Sequence, residues 1–495
     1  MKSQDKELQL SRRSFIRQSA CAALGYAGMV NAITQLTIMN SALGQSTLPG
    51  YKALVVLFLG GGNDSNNMLI PQLGHPEYNN YIAIRRVLTI YDPTDPTRGT
   101  GPASIPLTTV DGKYGLHPNM QHVADIFHAG DLSFVTNVGT LAFPIPTRED
   151  YINERIPIPP QLGSHADQVI QWQSSLPDKP FLTGWGGRVA DLLNANTPNS
   201  ISMSISVAGI NKFQVGLETA QYNIDASGTI PGLAGYGANY SWAFSNGTYN
   251  DTVHGRRLRA FDDVLRYTRS NLIEEGYSKV VRKSRDTEAL LASAFTAATS
   301  SGVNFDALFG TATTGLSAEL KTISKLIAGR SALGNNRQIF FAGVGGYDTH
   351  GGQMPAHANL MNELSTSLKA FRDAMIALGM NDNVLTITNS DFARTLQPNG
   401  TDPSTGSDHG WGGHHIVMGG GVNGSRIFGH FPTLVIGTGL DSRDRGTWIP
   451  TTSVDQYAAV AAKWLGVDSS NLSLAFPNLG RFDDPFGSTA NLLYI

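Results

Sequence analysis

Short apolar runs alternate with longer amphipathic stretches along this chain. Residues 53–59 read ALVVLFL, with no polar position, which is typical of a strand that is covered on both faces in a parallel sheet. Similar runs predict further strands at residues 132–138, 337–344, 384–388, 416–418 and 433–436. Helical periodicity predicts helices at residues 118–129, 316–328, 356–378 and 454–465, with one or two more within 257–299. Residues 200–250 are expected to form short strands or long loops near the functional site.

The elements predicted between residues 337 and 388 are a strand, a helix and a second strand. Asp348 and His350 follow the first of these strands, and Asp391 follows the second. In a βαβ unit both strands run in the same direction, so their carboxyl ends meet at one edge of the sheet. We therefore predict an α/β protein with its functional site at that edge.

Two loops outside this unit carry further candidate site residues, and each of these residues could instead have a purely structural role. Asp64 closes the loop GGGND after the first strand, where it is either a ligand or the polar residue of an Asx turn. Ser164 precedes a predicted helix, where it is either the N-cap or a hydroxyl among the donors that favour an anion at a helix N-terminus. Both alternatives stay open at the level of sequence.

Composition and charge narrow the class of protein. The chain has 495 residues and 41% hydrophobic content, enough for one large α/β domain or two to three smaller ones. We predict a single domain from residue 45 to 495, with a long insertion around residues 200–330. The net charge is −3, so there is no broad basic field that would hold nucleic acid.

The N-terminus reads SRRSFIR, followed by an Ala- and Gly-rich apolar run and the small residues SALG at 41–44. This is the pattern of a twin-arginine export signal. We predict that the twin-arginine machinery recognises Arg12 and Arg13, that cleavage follows Gly44, and that the mature protein is periplasmic or secreted. Polar residues interrupt the apolar run, so no stable membrane anchor is expected. Cys21, the single cysteine, lies within the signal, which leaves the mature chain without disulfides or thiolate ligands.

The densest group of candidate ligands lies between residues 345 and 421. Five of the twelve histidines fall there, together with aspartates of its loops: His350, His357, His409, His414, His415, Asp348, Asp391, Asp402 and Asp408. Neutral imidazole and ionised carboxylate are the usual ligands of divalent cations, so we predict one or two ions of Zn²⁺, Mn²⁺, Mg²⁺ or Ca²⁺.

Three of these histidines receive more specific expectations. His357 is expected to be a surface or capping residue of the helix at 356–378. His414 and His415 are adjacent on a predicted strand, so their side chains should point to opposite faces. At most one of them is then a ligand or general acid, and we prefer His414.

Several motifs resemble the DUF1501 family of exported bacterial proteins. They are LFLGGGND, GLHPNM, GGYDTHGGQ, TNSDFARTLQPNG, DHGWGGHHIVMGGGVNG and SVDQYAAVAAKWLGV, and they run over nearly all of the mature chain. That family is in turn similar to the alkaline phosphatase and sulfatase superfamily. The resemblance implies an alkaline phosphatase-like three-layer α/β sandwich, with a mostly parallel central sheet between helices and divalent metals beside a Ser or Thr nucleophile.

The resemblance also implies roles for individual residues. The implied metal ligands are Asp64, Asp348, His350, Asp391, Asp408 and His409, and Ser164 is the candidate nucleophile. The superfamily commonly has an Asp-His pair directly after its strand, whereas Phe392 follows Asp391 here and the Asp-His pair comes after an insert at 396–407. The assignment of ligands to individual metals is therefore open.

The implied activity is hydrolysis of a phosphate or sulfate ester of a small molecule or glycan, in which Ser164 attacks and metals clamp the oxygens of an in-line displacement. The alternative is a non-catalytic exported protein that keeps the fold and binds a glycan or a partner. A triad-type serine hydrolase is disfavoured because no Gly-x-Ser-x-Gly elbow occurs. Ser164, His165 and Asp167 are also too close in sequence to form a triad with one another.

Overall fold

The computed structural model describes residues 48–96, 101–108, 113–180, 182–193, 201–229, 242–245, 248–267 and 272–495. The predicted export signal, with Arg12, Arg13 and the cleavage site after Gly44, lies outside the described residues. None of the helices in the described ranges combines the length and apolarity needed to span a bilayer.

The strands are numbered in chain order. They are β1 (Lys52–Leu59), β2 (Leu69–Pro71), β3 (Ile105–Pro106), β4 (Tyr114–Leu116), β5 (Leu132–Gly139), β6 (Ser204–Ser206), β7 (Tyr222–Asn223), β8 (Phe244–Ser245), β9 (Thr248–Tyr249), β10 (Arg337–Val344), β11 (Val384–Ser390), β12 (Arg394–Pro398), β13 (Ser407–His409), β14 (Gly413–Met418), β15 (Ile427–Gly429) and β16 (Thr452–Ser453).

The helices are numbered in the same way. They are α1 (Tyr78–Arg85), α2 (Gln121–His128), α3 (Arg148–Ile152), α4 (His165–Ser174), α5 (Trp185–Leu193), α6 (Val253–Arg266), α7 (Leu272–Thr299), α8 (Phe305–Phe309), α9 (Gly315–Ala328), α10 (Arg330–Leu333), α11 (Gln353–Ala377), α12 (Val454–Leu465) and α13 (Leu472–Ala475).

The central sheet contains nine strands of the described chain. Their order is β15, β5, β14, β11, β1, β10, β6, β7, and β16 also pairs with β5. β11, β1, β10, β6 and β7 run parallel to one another, and β15 and β16 run parallel to β5. Within this sheet β14 runs antiparallel to both of its neighbours. The prediction of a mostly parallel central sheet is confirmed.

Alternate residues of β1 pack into two different cores, which is why its sequence is apolar throughout. Val55 and Leu57 face a core formed with α2, α9 and α11. Leu54 and Val56 face a second core formed with α5 and α12. Successive side chains of a strand point to opposite faces, and fully burying each valine or leucine contributes about 1.5–3 kcal/mol. The three-layer α/β sandwich is therefore present as predicted.

The closing segment of the chain was predicted only in part. Helix α12 begins at Val454 because Ser453 and Gln456 form a capping box at its N-terminus. The strand predicted at residues 433–436 is wrong. Leu434 is buried in a side cluster with Ile70, and its N–H donates to a carboxylate oxygen of Glu77 rather than to a neighbouring strand. The short strand beside β5 lies upstream, as β15.

Candidate metal centre

Three neighbouring parallel strands, β10, β1 and β11, end at the same edge of the sheet. Asp348 follows β10, Gly61 follows β1 and Asp391 follows β11. The N–H of Gly61 donates to Oδ1 of Asp391 at 2.9 Å. A Cβ on Gly61 would lie 2.5 Å from the backbone nitrogen of Asp348, and its φ is +114°. Glycine at this position therefore lets the three loops approach one another.

The antiparallel pair β12–β13 supplies a second part of the site. Arg394 lies opposite His409 in this pair. The insert at residues 396–407 thus folds back on itself and returns the Asp-His pair to the edge of the sheet. This arrangement accounts for the departure from the superfamily pattern, in which the pair follows the strand directly.

Helix α4 supplies the third part, because its first residue, His165, points toward the loop after β10. Nε2 of His165 lies 3.5 Å from Oδ1 of Asp348. Donor atoms of His165, Asp348 and His409 all lie within 4.8 Å of one another. His350 adjoins this group, with its Nε2 at 3.1 Å from Oδ1 of Asp348 and 2.9 Å from Nε2 of His409. We call these four residues, His165, Asp348, His350 and His409, the histidine centre.

The three imidazoles share one orientation, in which Nδ1 faces an oxygen. Nδ1 of His165 lies 2.6 Å from Oδ2 of Asp391, and Nδ1 of His350 lies 3.2 Å from Oδ1 of Asp408. Nδ1 of His409 lies 2.7 Å from the carbonyl oxygen of Gly163. An ionised carboxylate and a backbone carbonyl can only accept, so Nδ1 carries a proton in each ring. In the neutral rings Nε2 then carries the lone pair, and the three Nε2 atoms converge on Asp348.

The electrostatics of Asp348 are set by Arg394. Partial burial alone would raise the pKa of Asp348, but the hydrogen bond and charge of Arg394 outweigh it and hold this pKa below its usual value. The Arg394 guanidinium is buried against Asp348 and also donates to the carbonyl oxygens of Gly61 and Tyr347, at 2.8 and 3.2 Å. Burial lowers the pKa of His409, which favours the neutral imidazole. The centre thus presents an ionised carboxylate and, at His409, a neutral imidazole.

A divalent cation fits this arrangement. Lone pairs of three imidazoles that face one carboxylate oxygen repel one another unless positive charge lies near them. The Arg394 guanidinium donates to that oxygen and its Nη1 lies 3.4 Å from Nε2 of His350, and a cation would supply further positive charge between the rings. The outer hydrogen bonds from Nδ1 to Asp391, Asp408 and Gly163 are the contacts that usually fix the ring orientation of metal-bound histidines.

The structure places Asp391 and Asp408 behind the rings. Oδ1 of Asp391 accepts from Gly61 and Oδ2 faces Nδ1 of His165, so both oxygens are engaged. Asp408 faces Nδ1 of His350 with one oxygen and forms an ion pair with Arg445 through the other. In this arrangement both carboxylates orient candidate ligands, and their role as ligands themselves stays a prediction.

Asp64 lies apart from the histidine centre. Its side chain is fully buried, and its Oδ2 accepts from Arg85 and from the amide of Gln353. Burial raises the pKa of Asp64, and the charge of Arg85 opposes that change. Asp64 thus forms an internal ion pair with Arg85, and its role as a metal ligand stays a prediction.

The other three histidines between residues 345 and 421 are buried. His414 accepts from the backbone N–H of Asn137 at 3.2 Å, and its ring stacks on Phe431. Burial lowers its pKa to about 3, so the ring is neutral at neutral pH and carries its single proton on Nε2. Its role as general acid stays a prediction. His415 contacts Trp172 in the other core, as expected for adjacent strand residues. His357 is 2% exposed and faces Asn63, so the expectation of a surface position was wrong.

Ser164 occupies the N-cap position of α4, next to the histidine centre. Its backbone is extended, but its side chain makes no capping hydrogen bond. The hydroxyl instead donates to Oδ2 of Asp167 at 2.5 Å. The N-cap alternative is therefore confirmed for the position of Ser164 and not for its side chain.

Sequence reasoning missed two residues of this region, His165 and Arg394. His165 was considered only as a member of a triad, although a histidine in the first turn of a helix that starts beside the sheet edge is well placed to face it. Arg394 follows Asp391 by three residues in the motif DFAR. A basic side chain so close in sequence to a predicted ligand was the signal that could have placed Arg394 at the site.

Comparison with known proteins gives a family match and distant structural similarity. Residues 251–447 match the family model described as "Protein of unknown function (DUF1501)", which confirms the predicted resemblance. No curated protein sequence matches the chain.

Among solved structures, Ps i-CgsB is similar at 9% identity and a TM-score of 0.32, over 88% of this chain and 78% of that one. The PsFucS1 sulfatase from Pseudoalteromonas sp. is similar at 12% identity and a TM-score of 0.32, over 93% of this chain and 75% of that one.

Proposed function

We propose that this chain, with its DUF1501 resemblance, is a metal-dependent hydrolase that acts on a phosphate or sulfate ester. One observation carries the proposal: the Nε2 atoms of His165, His350 and His409 converge on the ionised Asp348. Solvent reaches this centre, since the side chains of Asp348 and His350 are each 46% exposed. A cation held there would therefore be open to a substrate.

The donor set indicates which cation is suited. Three imidazole nitrogens and one carboxylate favour Zn²⁺, or another transition metal such as Mn²⁺, over Mg²⁺ and Ca²⁺, which prefer oxygen ligands. The histidine centre is sufficient for one ion. When bound, such a cation supplies a Lewis acid that polarises an oxygen of the ester.

The charges around the centre favour an anionic substrate. Arg394 balances Asp348, and Arg445 balances Asp408. A divalent cation then offsets the two remaining carboxylates, those of Asp391 and Asp167, and the guanidinium of Arg443, which donates to the carbonyl oxygen of Leu162, leaves the loaded site positive. Positive charge at a partly exposed site attracts anions and stabilises the charge that develops on a transferring phosphoryl or sulfuryl group.

Ser164 is our candidate for the nucleophile. It lies between Gly163, whose carbonyl fixes His409, and His165, so the same short segment positions two candidate ligands and the hydroxyl. As Oγ attacks the phosphorus or sulfur atom, its proton passes to Asp167, which already accepts that hydrogen bond. The bond from phosphorus or sulfur to the ester oxygen breaks, and the leaving alkoxide takes a proton from water to become the alcohol. A second water then hydrolyses the seryl ester, which releases phosphate or sulfate and regenerates Ser164.

The partners and the cellular location of this protein are also proposals. We propose export by the twin-arginine machinery to the periplasm or beyond, where the protein would meet a small-molecule or glycan ester. No stable membrane anchor and no nucleic acid partner are expected.

A substrate panel on the purified mature protein tests the activity. Phosphomonoesters, phosphodiesters and sulfate esters are assayed with protein of measured metal content, for the parent, Ser164→Ala and Asp348→Asn. Since Ser164 makes no capping bond, its alanine variant should keep its metal and its melting temperature while losing turnover. Asp348→Asn should lose metal along with activity.

Two outcomes contradict parts of this proposal. Unchanged activity per bound metal in Ser164→Ala removes that residue from the mechanism. Full metal occupancy with no turnover on any ester of the panel supports the alternative, a non-catalytic exported binding protein with this fold.

A further inference from the structure

An apolar cavity of about 490 Å³ opens beside the histidine centre. It lies between α4, the carboxyl ends of β1 and β10, and the loop that follows β6. Its walls are mostly hydrocarbon, from side chains that include Phe58, Val169, Ile170, Ala208, Ile210 and Phe341. A cavity of this size and character is typical of a site for a small organic ligand.

Three connections join this cavity to the histidine centre. Val169 lies four residues after His165 in α4, so the two side chains occupy the same face of the helix. Gly60 lines the cavity, and the next residue, Gly61, donates to Asp391. Gly345 also lines the cavity, three residues before Asp348, which limits their Cα separation to about 11 Å.

Two polar side chains of the wall, those of Gln173 and Asn211, hold the fold, and Lys212 adds one charged side chain to the wall. Oε1 of Gln173 accepts from the N–H groups of Lys212 and Phe213, at 2.8 and 3.3 Å. The amide of Asn211 donates to Gln214 at 3.0 Å. The cavity therefore offers a ligand carbon surface with few unused hydrogen-bonding groups, which suits an alkyl or aryl group better than the hydroxyls of a sugar.

Ile210 is a second, independent sign of an apolar ligand. This side chain lines the cavity and is 86% exposed. A large aliphatic group at that exposure contributes little to folding, whereas at the mouth of an apolar cavity it extends the surface that a ligand can cover.

We propose that this cavity binds the apolar part of a ligand whose anionic group reaches the histidine centre. On the proposed function, on which this assignment rests, the substrate is the phosphate or sulfate ester of an aryl or alkyl alcohol, and the cavity holds the alcohol part. The ester oxygen would lie at the junction marked by Gly345 and Val169.

Binding is tested with naphthalene-2-sulfonate, which combines an aromatic body with an anionic group that cannot be hydrolysed. Fluorescence titration compares the parent with Ala208→Trp, which fills the cavity, and Ile210→Asp, which places a charge at its mouth. Leu182→Asp is the matched control, because Leu182 is 68% exposed and does not line this cavity. We expect at least about tenfold weaker binding in both cavity variants and parent affinity in the control.

Equal affinity of all four proteins for naphthalene-2-sulfonate would overturn the assignment. Ile210→Asp keeps this test valid if the tryptophan variant fails to fold, since an exposed side chain tolerates the change.

Hydrolysis separates this inference from the proposed function. Octyl and phenylpropyl esters should give kcat/KM values at least about tenfold above those of methyl esters, whose alcohol is of similar acidity as a leaving group, and Ile210→Asp should remove that preference. Turnover without preference for apolar alcohols overturns the cavity assignment and leaves the hydrolase intact. Cavity-dependent binding without turnover of any ester overturns the hydrolase and supports the cavity as a ligand site.

Discussion

Replacing Asp391 with asparagine should weaken metal binding without removing a metal ligand. Asp391 accepts two hydrogen bonds, from Gly61 N–H at 2.9 Å and from Nδ1 of His165 at 2.6 Å, and its side chain is 3% exposed. An amide has only one oxygen. If that oxygen keeps the bond to Gly61, the NH₂ group faces His165 and forces its proton to Nε2, where the lone pair is needed.

The size of the effect follows from this change of tautomer. Loss of a group that orients a metal-bound histidine typically costs 10- to 100-fold in affinity, or about 1.4–2.7 kcal/mol. We expect that loss in competition titrations of Zn²⁺ against a chromophoric chelator. Asp373→Asn, which removes a carboxylate paired with Lys369 on α11, is the control and should keep parent affinity. Parent affinity in Asp391→Asn would refute the proposed orientation of His165.

Three further predictions concern stability and export. Burial raises the pKa of Glu319 from 4.5 to about 7, so the folded protein favours the protonated side chain, and the stability that it provides below pH 4.5 is lost as pH rises through about 7. Glu319→Gln should therefore raise the free energy of unfolding at pH 8 by up to roughly 3 kcal/mol but not at pH 4. An equal change at both pH values in urea denaturation contradicts this prediction. Gly61→Ala should lower both the melting temperature and the Zn²⁺ affinity, because its Cβ would collide with the backbone of Asp348. The control, Gly343→Ala, should change neither by much, since its Cβ would meet nothing closer than 3.5 Å. Equal effects of the two substitutions would contradict the role given to Gly61. Lysine at both Arg12 and Arg13 should hold the precursor in the cytoplasm on cell fractionation, and arrival in the periplasm would exclude the twin-arginine route.

The fold was predictable where burial on both faces leaves a continuous apolar run. β1, β10 and β11 were predicted for that reason, and the helix between the last two followed from its periodicity. Residues 433–436 are equally apolar, yet Leu434 is buried in a side cluster and forms no strand. A short apolar run predicts that a segment is buried. Whether its backbone forms hydrogen bonds with a neighbouring strand depends on tertiary structure.

The site was predictable in composition and not in orientation. The density of ligand-type residues identified Asp348, His350 and His409. Side-chain packing between distant segments decides which carboxylate oxygens face a histidine ring and which face a guanidinium. The sequence alone therefore could not tell whether Asp391 binds a metal or orients a histidine. His165 lies about 180 residues upstream of that window, and only the sheet topology brings α4 to the edge.

An anomalous difference map from a crystal of the mature protein loaded with Zn²⁺ is the most direct test of the central claim. The account predicts a peak about 2.0–2.2 Å from Nε2 of His165 and His409, with Asp348 and His350 completing the ligands. A map with no peak at the histidine centre, or with its peak at Asp64 instead, would contradict it.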